Sequence, residues 1–392
     1  MKNVTFPKGF SAGGRACGIK KNGNPDVGIL KSEPPAVGFG AFTRNAAAAA
    51  PVLYCRETLA SGAKISHVLV NSGNANAATG PKGYEDVLTS VAQLRASTKV
   101  EGGVLVSSTG VIGEPLPMDA LKRGIEDLCR QSSTSDFHAA IMTTDTFEKT
   151  GEVALQLGGK EVRLGGAAKG AGMICPNMAT MLAYVTTDMG LDADYKTVFL
   201  DAVDRSFNSI TVDGDMSTND TALLLANGAS GVHYASLSAA DKVLFDSALQ
   251  ELMRGLAQAI VRDGEGATKF IAVNVAGAAS ESDARSVARA VSNSPLVKTA
   301  FFGGDANWGR VLAAAGYSGA ALEMPKLSLE FCGVKVFANG VPLTRDEEDL
   351  AQRMKAKDVS VKLDLGLGKA AWTYWTCDLS YDYVKINGSY RS

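Results

Sequence analysis

The sequence predicts an α+β protein rather than a doubly wound parallel sheet, and three observations carry that expectation. Residues 1 to about 80 read as short strands between glycine turns. Strand-like and helix-like segments then follow one another in mixed order, without the steady alternation that builds a parallel sheet. The chain also has 392 residues, and single hydrophobic cores stop growing at roughly 250 to 300, so two or three packed units are expected.

Each element has a local reason. His67-Val68-Leu69-Val70-Asn71 is a strand running into Ser72-Gly73-Asn74. Helical periodicity follows at about 83–95 and again at 117–131, where Met118, Leu121, Ile125 and Leu128 share one face opposite Asp119, Lys122 and Glu126. Between them Gly103-Val104-Leu105-Val106-Ser107 reads as a buried strand that ends in a loop, Ser108 to Gly113. Val153, Leu155, Leu157, Val162 and Leu164 alternate around Gly158-Gly159, which predicts a hairpin over 152–164. Helices are expected at about 194–206 and at 239–261, the latter carrying Leu244, Leu249, Leu252, Leu256 and Ile260. From 269 onward strand and helix alternate, with a hairpin at Lys326 to Phe337 and an amphipathic helix at Thr344 to Lys357. Ala46 to Ala50 reads as a turn or a helix start, and no internal repeat or low-complexity linker interrupts the chain.

Composition excludes several classes. Thirty-nine Lys and Arg stand against 41 Asp and Glu, so no basic surplus is available to neutralise a nucleic-acid backbone. No apolar run approaches the roughly 20 residues of a membrane span, and Met1 to Pro7 leads into no signal-peptide stretch, so a cytoplasmic protein is expected. Six scattered cysteines form no C-x-x-C pair, which points to buried or idle thiols rather than a zinc site or a disulfide framework. His67, His138 and His233 lie far apart, each without a neighbouring ligand or nucleophile. Gly170-Ala171-Gly172 and Gly366-Leu367-Gly368-Lys369 lack phosphate-loop spacing. Asp213 to Asp220 opens like a calcium loop but has Thr218 at its sixth position and Leu224 at its twelfth. Asn387-Gly388-Ser389 matches a glycosylation pattern that has no use without secretion.

With so little imidazole, a nucleophilic enzyme needs another way to activate a hydroxyl. A Thr that becomes a chain N-terminus supplies its own base, because an α-amine titrates near about 7.7 to 8.0 and reaches the side-chain oxygen of the same residue. Exposing that amine requires a cut, with the hydroxyl attacking the preceding carbonyl and water hydrolysing the resulting ester. Such a site wants a small residue before the nucleophile, a glycine-rich approach and a rigid strand after it. Ala179-Thr180, followed by Met181-Leu182-Ala183-Tyr184-Val185, has all three, although a Thr opening an apolar strand also reads as an ordinary strand residue.

The run Lys169 to Asp188, with Lys-Gly-x-Gly-Met-Ile-x-Pro-Asn-Met-Ala-Thr-Met-Leu-Ala at its centre, closely resembles the self-cleavage segment of the ornithine acetyltransferase family (glutamate N-acetyltransferase). The likeness extends over the whole chain, through Gly18-Ile19-Lys20, Asn71 to Ala77, Ser108 to Gly113, Ile141 to Thr146, Thr211 to Thr221, Asp263 to Lys269 and Asp305 to Arg310. It implies an N-terminal-nucleophile-like α/β sandwich core, related to certain aminopeptidases, with a smaller C-terminal α+β unit. On that reading residues 1–275 form the nucleophile-bearing core and 276–392 the smaller unit. The resemblance also implies a cut between Ala179 and Thr180, giving an α chain of 1–179 and a β chain of 180–392 that assemble as a tetramer of two α and two β chains.

Acetyl would pass from N2-acetylornithine to Thr180 and then to glutamate, a ping-pong reaction of arginine biosynthesis. No metal or external cofactor is implied, and some members also take acetyl-CoA as donor. Thr109 and Gly110 match the oxyanion-hole positions. Thr143, Lys169, Glu265, Asn387 and Ser392 match the substrate-binding positions, where a lysine suits an α-carboxylate and a carboxylate suits the ornithine ammonium. Taken alone, Thr109-Gly110 also reads as a turn after a strand, and a lone Lys or Glu as a solvated surface charge. The chain departs from the family at Cys175, where alanine or another residue is usual, and at its last residue, Ser392 in place of the commoner Thr, while Gly388 could loosen the tail. An amidase or aminopeptidase on the same nucleophile fold, and a non-catalytic binding protein, are the rival classes.

Overall fold

The computed structural model describes residues 3–130, 136–175 and 181–389, and they form two compact units. Residues up to 208 together with 215–260 make the first, and 209–214 with 261–392 the second. Residue 275, where the sequence reading divides the chain, lies inside a strand of the second unit. Among the described residues no helix is long and apolar enough to cross a membrane.

In chain order the strands through residue 226 are β1 (Phe10–Arg15), β2 (Val27–Phe42), β3 (Ile65–Asn74), β4 (Gly103–Val111), β5 (Lys149–Leu157), β6 (Lys160–Lys169), β7 (Leu182–Thr187), β8 (Ile210–Thr211) and β9 (Thr221–Ala226). All but β8 belong to the first unit, in a mixed sheet of order β4-β3-β2-β9-β7-β6-β5 with β1 against β2. β3 and β4 are parallel, as are β7 and β9, and the other pairs are antiparallel. Mixed pairing on this scale makes the fold α+β, as the order of elements predicts.

The pleat explains the burial of both faces. Successive side chains of a strand point to opposite sides, so Val68 and Val70 of β3 join Leu30, Leu105, Phe137 and Tyr184 in one cluster. Leu69 joins Val27, Val104, Val91 and Ile125 in another, under the helices Gly80–Thr98 and Met118–Arg130. Those are the two helices expected from periodicity, and Met118–Arg130 buries Leu121, Ile125 and Leu128 as its pattern requires. The hairpin turns at Gly158 and Gly159, whose φ values of 55° and 77° suit glycine.

Three expectations are corrected. The first 80 residues are not all sheet: Ala50–Ala60 is a helix, with proline in its first turn. The segment 108–113 is not wholly a loop, because β4 continues to Val111. Its small polar residues stay in the sheet because they are bonded there: Ser108 Oγ donates to Asn71 Oδ1 at 2.6 Å, and Asn219 Nδ2 reaches the carbonyls of Ser108 at 2.9 Å and Ala75 at 2.6 Å. The helix drawn over 344–357 shrinks to Glu347–Arg353, started by Asp346 accepting the Glu348 and Asp349 N–H groups.

The second unit adds β10 (Phe270–Ala278), β11 (Ser328–Phe331), β12 (Val334–Ala338), β13 (Val341–Pro342), β14 (Asp358–Asp364) and β15 (Ala370–Cys377), in the order β13-β12-β11-β14-β10-β15-β8. Ile271, Val273 and Val275 of β10 pack with Val287, Val291 and Phe301 from the helices Glu281–Asn293 and Pro295–Phe302.

One buried carboxylate shapes the early part of the first unit. Asp26 is fully buried and accepts the backbone N–H groups of Cys17 (2.7 Å), Gly18 (3.1 Å), Ile19 (2.6 Å) and Lys20 (2.9 Å). This is an amide nest closed around an anion, and it accounts for the Gly18-Ile19-Lys20 run, since Gly18 takes φ of 96°. Asp26→Ala strands these four donors and should lower stability by roughly 3 kcal/mol. Urea unfolding of the two proteins measures it, and equal midpoints would show that the nest carries no weight.

Candidate active site

Lys169 ends β6, on a strand antiparallel to β7, and is almost fully buried. Its Nζ donates to Thr143 Oγ1 at 2.8 Å and to Thr109 Oγ1 at 3.2 Å. Three residues matched to the family by sequence alone, spread over 61 positions from 109 to 169, therefore meet at one ammonium. Thr109 is brought there by β4 lying parallel to β3. Gly110 follows it, facing Gly73 across the pair, with φ of 133°. A Cβ at Gly110 would fall 2.3 Å from the Gly73 carbonyl carbon, so only glycine lets the strands approach this closely.

The sequence reading passed over the residue that holds this cluster together. Asp145 Oδ1 accepts from Lys149 Nζ at 2.7 Å and from the Gly170 N–H at 2.7 Å, and Oδ2 accepts the Thr143 N–H at 3.0 Å. The side chains of Asp145 and Lys149 are both shut away from solvent. Burial by itself would raise the Asp145 carboxyl, but the charges of Lys169 and Lys149 and its hydrogen bonds outweigh burial and hold it at about 2. Lys20 sits within the same field: burial first, then the Lys169 charge, brings its amine down to about 8 against the pull of Asp26 and Asp145. The Ile141 to Thr146 motif contained Asp145, but nothing in the linear pattern distinguished a buried counter-ion from a turn aspartate.

Residue 180 lies outside the described residues, as do Ala179 and Ser392. The strand that follows Thr180 is fixed firmly. Leu182 is registered between Lys169 on β6 and Thr221 on β9, Thr221 N–H bonds the Met181 carbonyl at 3.0 Å, and Met181 N–H bonds Asp220 Oδ1 at 2.9 Å.

In the second unit Glu265 and Asn387 meet each other: Asn387 Nδ2 donates to Glu265 Oε2 at 2.9 Å. The Asp263 to Lys269 motif is seated by Asp378, which accepts the N–H groups of Thr268 and Lys269, both at 2.8 Å. Gly266 (φ 70°) leaves no room for a Cβ, which would stand 2.4 Å from the Tyr383 nitrogen, at the start of the helix Tyr381–Gly388 that carries Asn387. Gly388, one of the departures from the family, has open space around it, and Cys175 is buried.

The histidines take other places. His67 and His138 are buried, and desolvation draws both below the ordinary imidazole value, His67 to about 4. All six cysteines are free thiols, and among the described residues no cluster of His, Cys, Asp or Glu could hold a metal ion.

The fold is thus that of an α+β protein, and its buried cluster presents hydroxyl and ammonium donors beside the strand that begins at Leu182. The ArgJ family profile matches residues 11–392. An arginine biosynthesis bifunctional protein ArgJ from Geobacter sulfurreducens is 49% identical over 392 residues, covering 98% of this chain and 99% of the relative. Its counterpart from Oceanobacillus iheyensis is 45% identical over 397 residues, covering 100% and 97%. A crystal structure of arginine biosynthesis bifunctional protein ArgJ from Bacillus halodurans matches with a TM-score of 0.51 and 38% identity, over 53% of this chain and 98% of that one. The chain belongs to the ArgJ family, and it is an acyltransferase.

Replacing Asp145 by Asn would leave Lys149 and Lys169 buried beside a neutral amide, and removing one partner of a buried ion pair typically costs about 3 to 5 kcal/mol. A carboxyl held below its unfolded value stabilises the fold above that value, and the contribution fades as the pH falls toward about 2. Asp145→Asn should therefore be clearly less stable than wild type at pH 7, and the two should converge in acid. Thermal melts across the acid range check this, and a gap independent of pH would refute the ion-pair account.

Proposed function

We propose that this chain is a glutamate N-acetyltransferase that moves acetyl from N2-acetylornithine to glutamate in arginine biosynthesis, by a ping-pong route through acetyl-Thr180. On this reading the protein first cuts itself between Ala179 and Thr180, and the new α-amine of Thr180 serves as base for its own hydroxyl. Thr180 Oγ attacks the acetyl carbonyl carbon while the amine takes the hydroxyl proton. That proton then goes to the departing nitrogen of ornithine, and glutamate reverses the steps. Acetyl-CoA is proposed as a second donor.

One observation carries the reading: Lys169 donates to both Thr109 and Thr143. An ammonium has donors only, so each hydroxyl must accept from it, and the proton of each hydroxyl is then turned toward some other acceptor. Thr109 thereby becomes a polarised donor, suited with the Gly110 N–H to the charge that develops on an acetyl oxygen. A positive, desolvated cluster of this kind also suits the α-carboxylate of an amino acid, the role proposed for Lys169 with Thr143. Glu265, held by Asn387, offers a carboxylate of the type that an ornithine ammonium requires. Ser392 is assigned to the same binding role from the family match. We place the enzyme in the cytoplasm, as two α and two β chains.

Purified protein should run as two fragments, the second beginning with Thr180 by N-terminal sequencing. Thr180→Ala should remain one chain without transferase activity, and a cut, active variant would sink the reading. Incubation with N2-acetylornithine, with and without glutamate, separates transfer from the hydrolysis that an amidase would perform. Thr109→Ala should lower kcat by roughly 10² to 10³ with little change in Tm. A large fall in Tm with near-normal kcat would make Thr109 a structural turn residue instead.

A further inference from the structure

Lys169 Nζ serves Thr109 and Thr143 together only while their hydroxyls stay close, yet the two threonines arrive by different routes. Thr109 lies within β4 and is held by the sheet. Thr143 follows the short helix Phe137–Ile141 and belongs to no helix or strand. On its C-terminal side Asp145 holds it, accepting the Thr143 N–H at 3.0 Å. On the other side its place depends on where the helix ends.

Ser72 fixes that end. It stands on β3 in register with Thr109 and is fully buried. Its Oγ donates to the Ala140 carbonyl at 2.6 Å, and its N–H donates to the Asp26 carbonyl at 2.9 Å. Carbonyls in the last turn of a helix have no partner within it, so a hydroxyl aimed at one of them sets where the turn sits. Lys20 Nζ makes a 2.7 Å bond to the Pro25 carbonyl and stands 3.4 Å from the Ala139 carbonyl, so the short bond to the helix end is the one from Ser72. The helix has no room to sink toward the sheet: a Cβ on Gly14 of β1 would fall 2.3 Å from the Asp136 carbonyl oxygen and 2.8 Å from Ala140 Cβ.

We infer that Ser72 is a positioning residue for Thr143, setting the separation of the Thr109 and Thr143 hydroxyls that Lys169 spans. One residue of β3 thus faces Thr109 in the sheet and ties down the helix that leads to Thr143. Between Ala140 and Thr143 the chain runs only three residues, a reach of at most roughly 10 Å, so a shift of the helix end passes directly to the threonine. The same assignment gives each part of the Asn71-Ser72-Gly73 run a separate task. Asn71 holds Ser108, Ser72 holds the helix, and Gly73 admits Gly110. The consequence for catalysis rests on the reading that Thr143 binds substrate with Lys169.

Steady-state kinetics of the full chain, in a cycle of Ser72→Ala, Thr143→Ala and the double variant, tests this. Ser72→Ala should raise KM for N2-acetylornithine roughly 10- to 100-fold, the scale of a misplacement of about 1 Å, with kcat changed less than about twofold. Added to Thr143→Ala it should raise KM no further, because Ser72 acts through Thr143. An unchanged KM in Ser72→Ala, or the same rise in both backgrounds, would overturn the assignment, since a merely structural residue lowers Tm and leaves the cycle additive. A crystal structure of Ser72→Ala gives a readout independent of activity. Thr143 Oγ1 should have left hydrogen-bond distance of Lys169 Nζ while Thr109 Oγ1 keeps it, and an undisturbed pair would equally overturn the assignment. Should Ser72→Ala show no thermal transition, Ser72→Cys, which nearly keeps the volume and offers a weaker donor, takes its place. If Thr143→Ala alone leaves KM unchanged, the reading of Thr143 as a substrate residue fails, and the crystal structure decides the positioning by itself.

Discussion

The first unit is organised around a buried carboxylate that two lysines share. Asp145 binds Lys149 directly, feels the charge of Lys169, and ties down the backbone at Thr143 and Gly170. Taking ions out of water costs several kcal/mol each, and the cost is met only where geometry and further hydrogen bonds are good. Here one carboxylate serves three donors at 2.7 to 3.0 Å, and Lys169 in turn serves two threonines. Positive charge is thus kept inside the protein, next to hydroxyls, where it strengthens them as donors. That arrangement is what an enzyme handling a developing oxyanion and an amino-acid carboxylate requires.

The sheet supplies the precision. Lys169, Leu182 and Thr221 lie side by side at the ends of β6, β7 and β9, so the start of the strand after residue 180 is fixed from both sides. Thr109 and Gly110 arrive on the parallel pair β3 and β4, whose close approach at Gly73 and Gly110 excludes any side chain. Small polar residues at these strand ends are affordable because Asn71 and Asn219 satisfy them. Backbone geometry and buried amide side chains set the positions of Thr109 and Gly110, while Thr143 and Asp145 come from the connection between Ile141 and Lys149.

Much of this was legible in the sequence, and the failures have physical causes. The helix Met118–Arg130 and the hairpin through Gly158-Gly159 follow from period and turn chemistry, and both stand as expected. The helix Ala50–Ala60 begins where the sequence suggests a turn or helix start, but its body prints no clear period, because its fully buried residues are Pro51, Val52 and Cys55, with Tyr54 and Leu59 only partly buried against the core. β4 looked shorter than it is because Ser108-Thr109-Gly110 reads as a turn, Gly110 being a poor strand former, and the segment is retained in the sheet by tertiary hydrogen bonds. At the site, Thr109, Thr143 and Lys169 came from family motifs and the structure joins them, while Glu265 and Asn387 are joined to each other. Asp145 and Asp220 were hidden for a different reason. A carboxylate's importance here lies in its burial and in its partners from distant strands, neither of which a linear pattern records.

The central claim is that acetyl rests on Thr180 between donor and acceptor, and the mass of the fragment that begins with Thr180 tests it most directly. After incubation with N2-acetylornithine alone, that fragment should gain one acetyl group, localised to Thr180, and should lose it when glutamate is added, with N-acetylglutamate appearing in equal amount. Formation of N-acetylglutamate by an enzyme whose fragment is never acetylated, or acetylation at any other residue, would contradict the account.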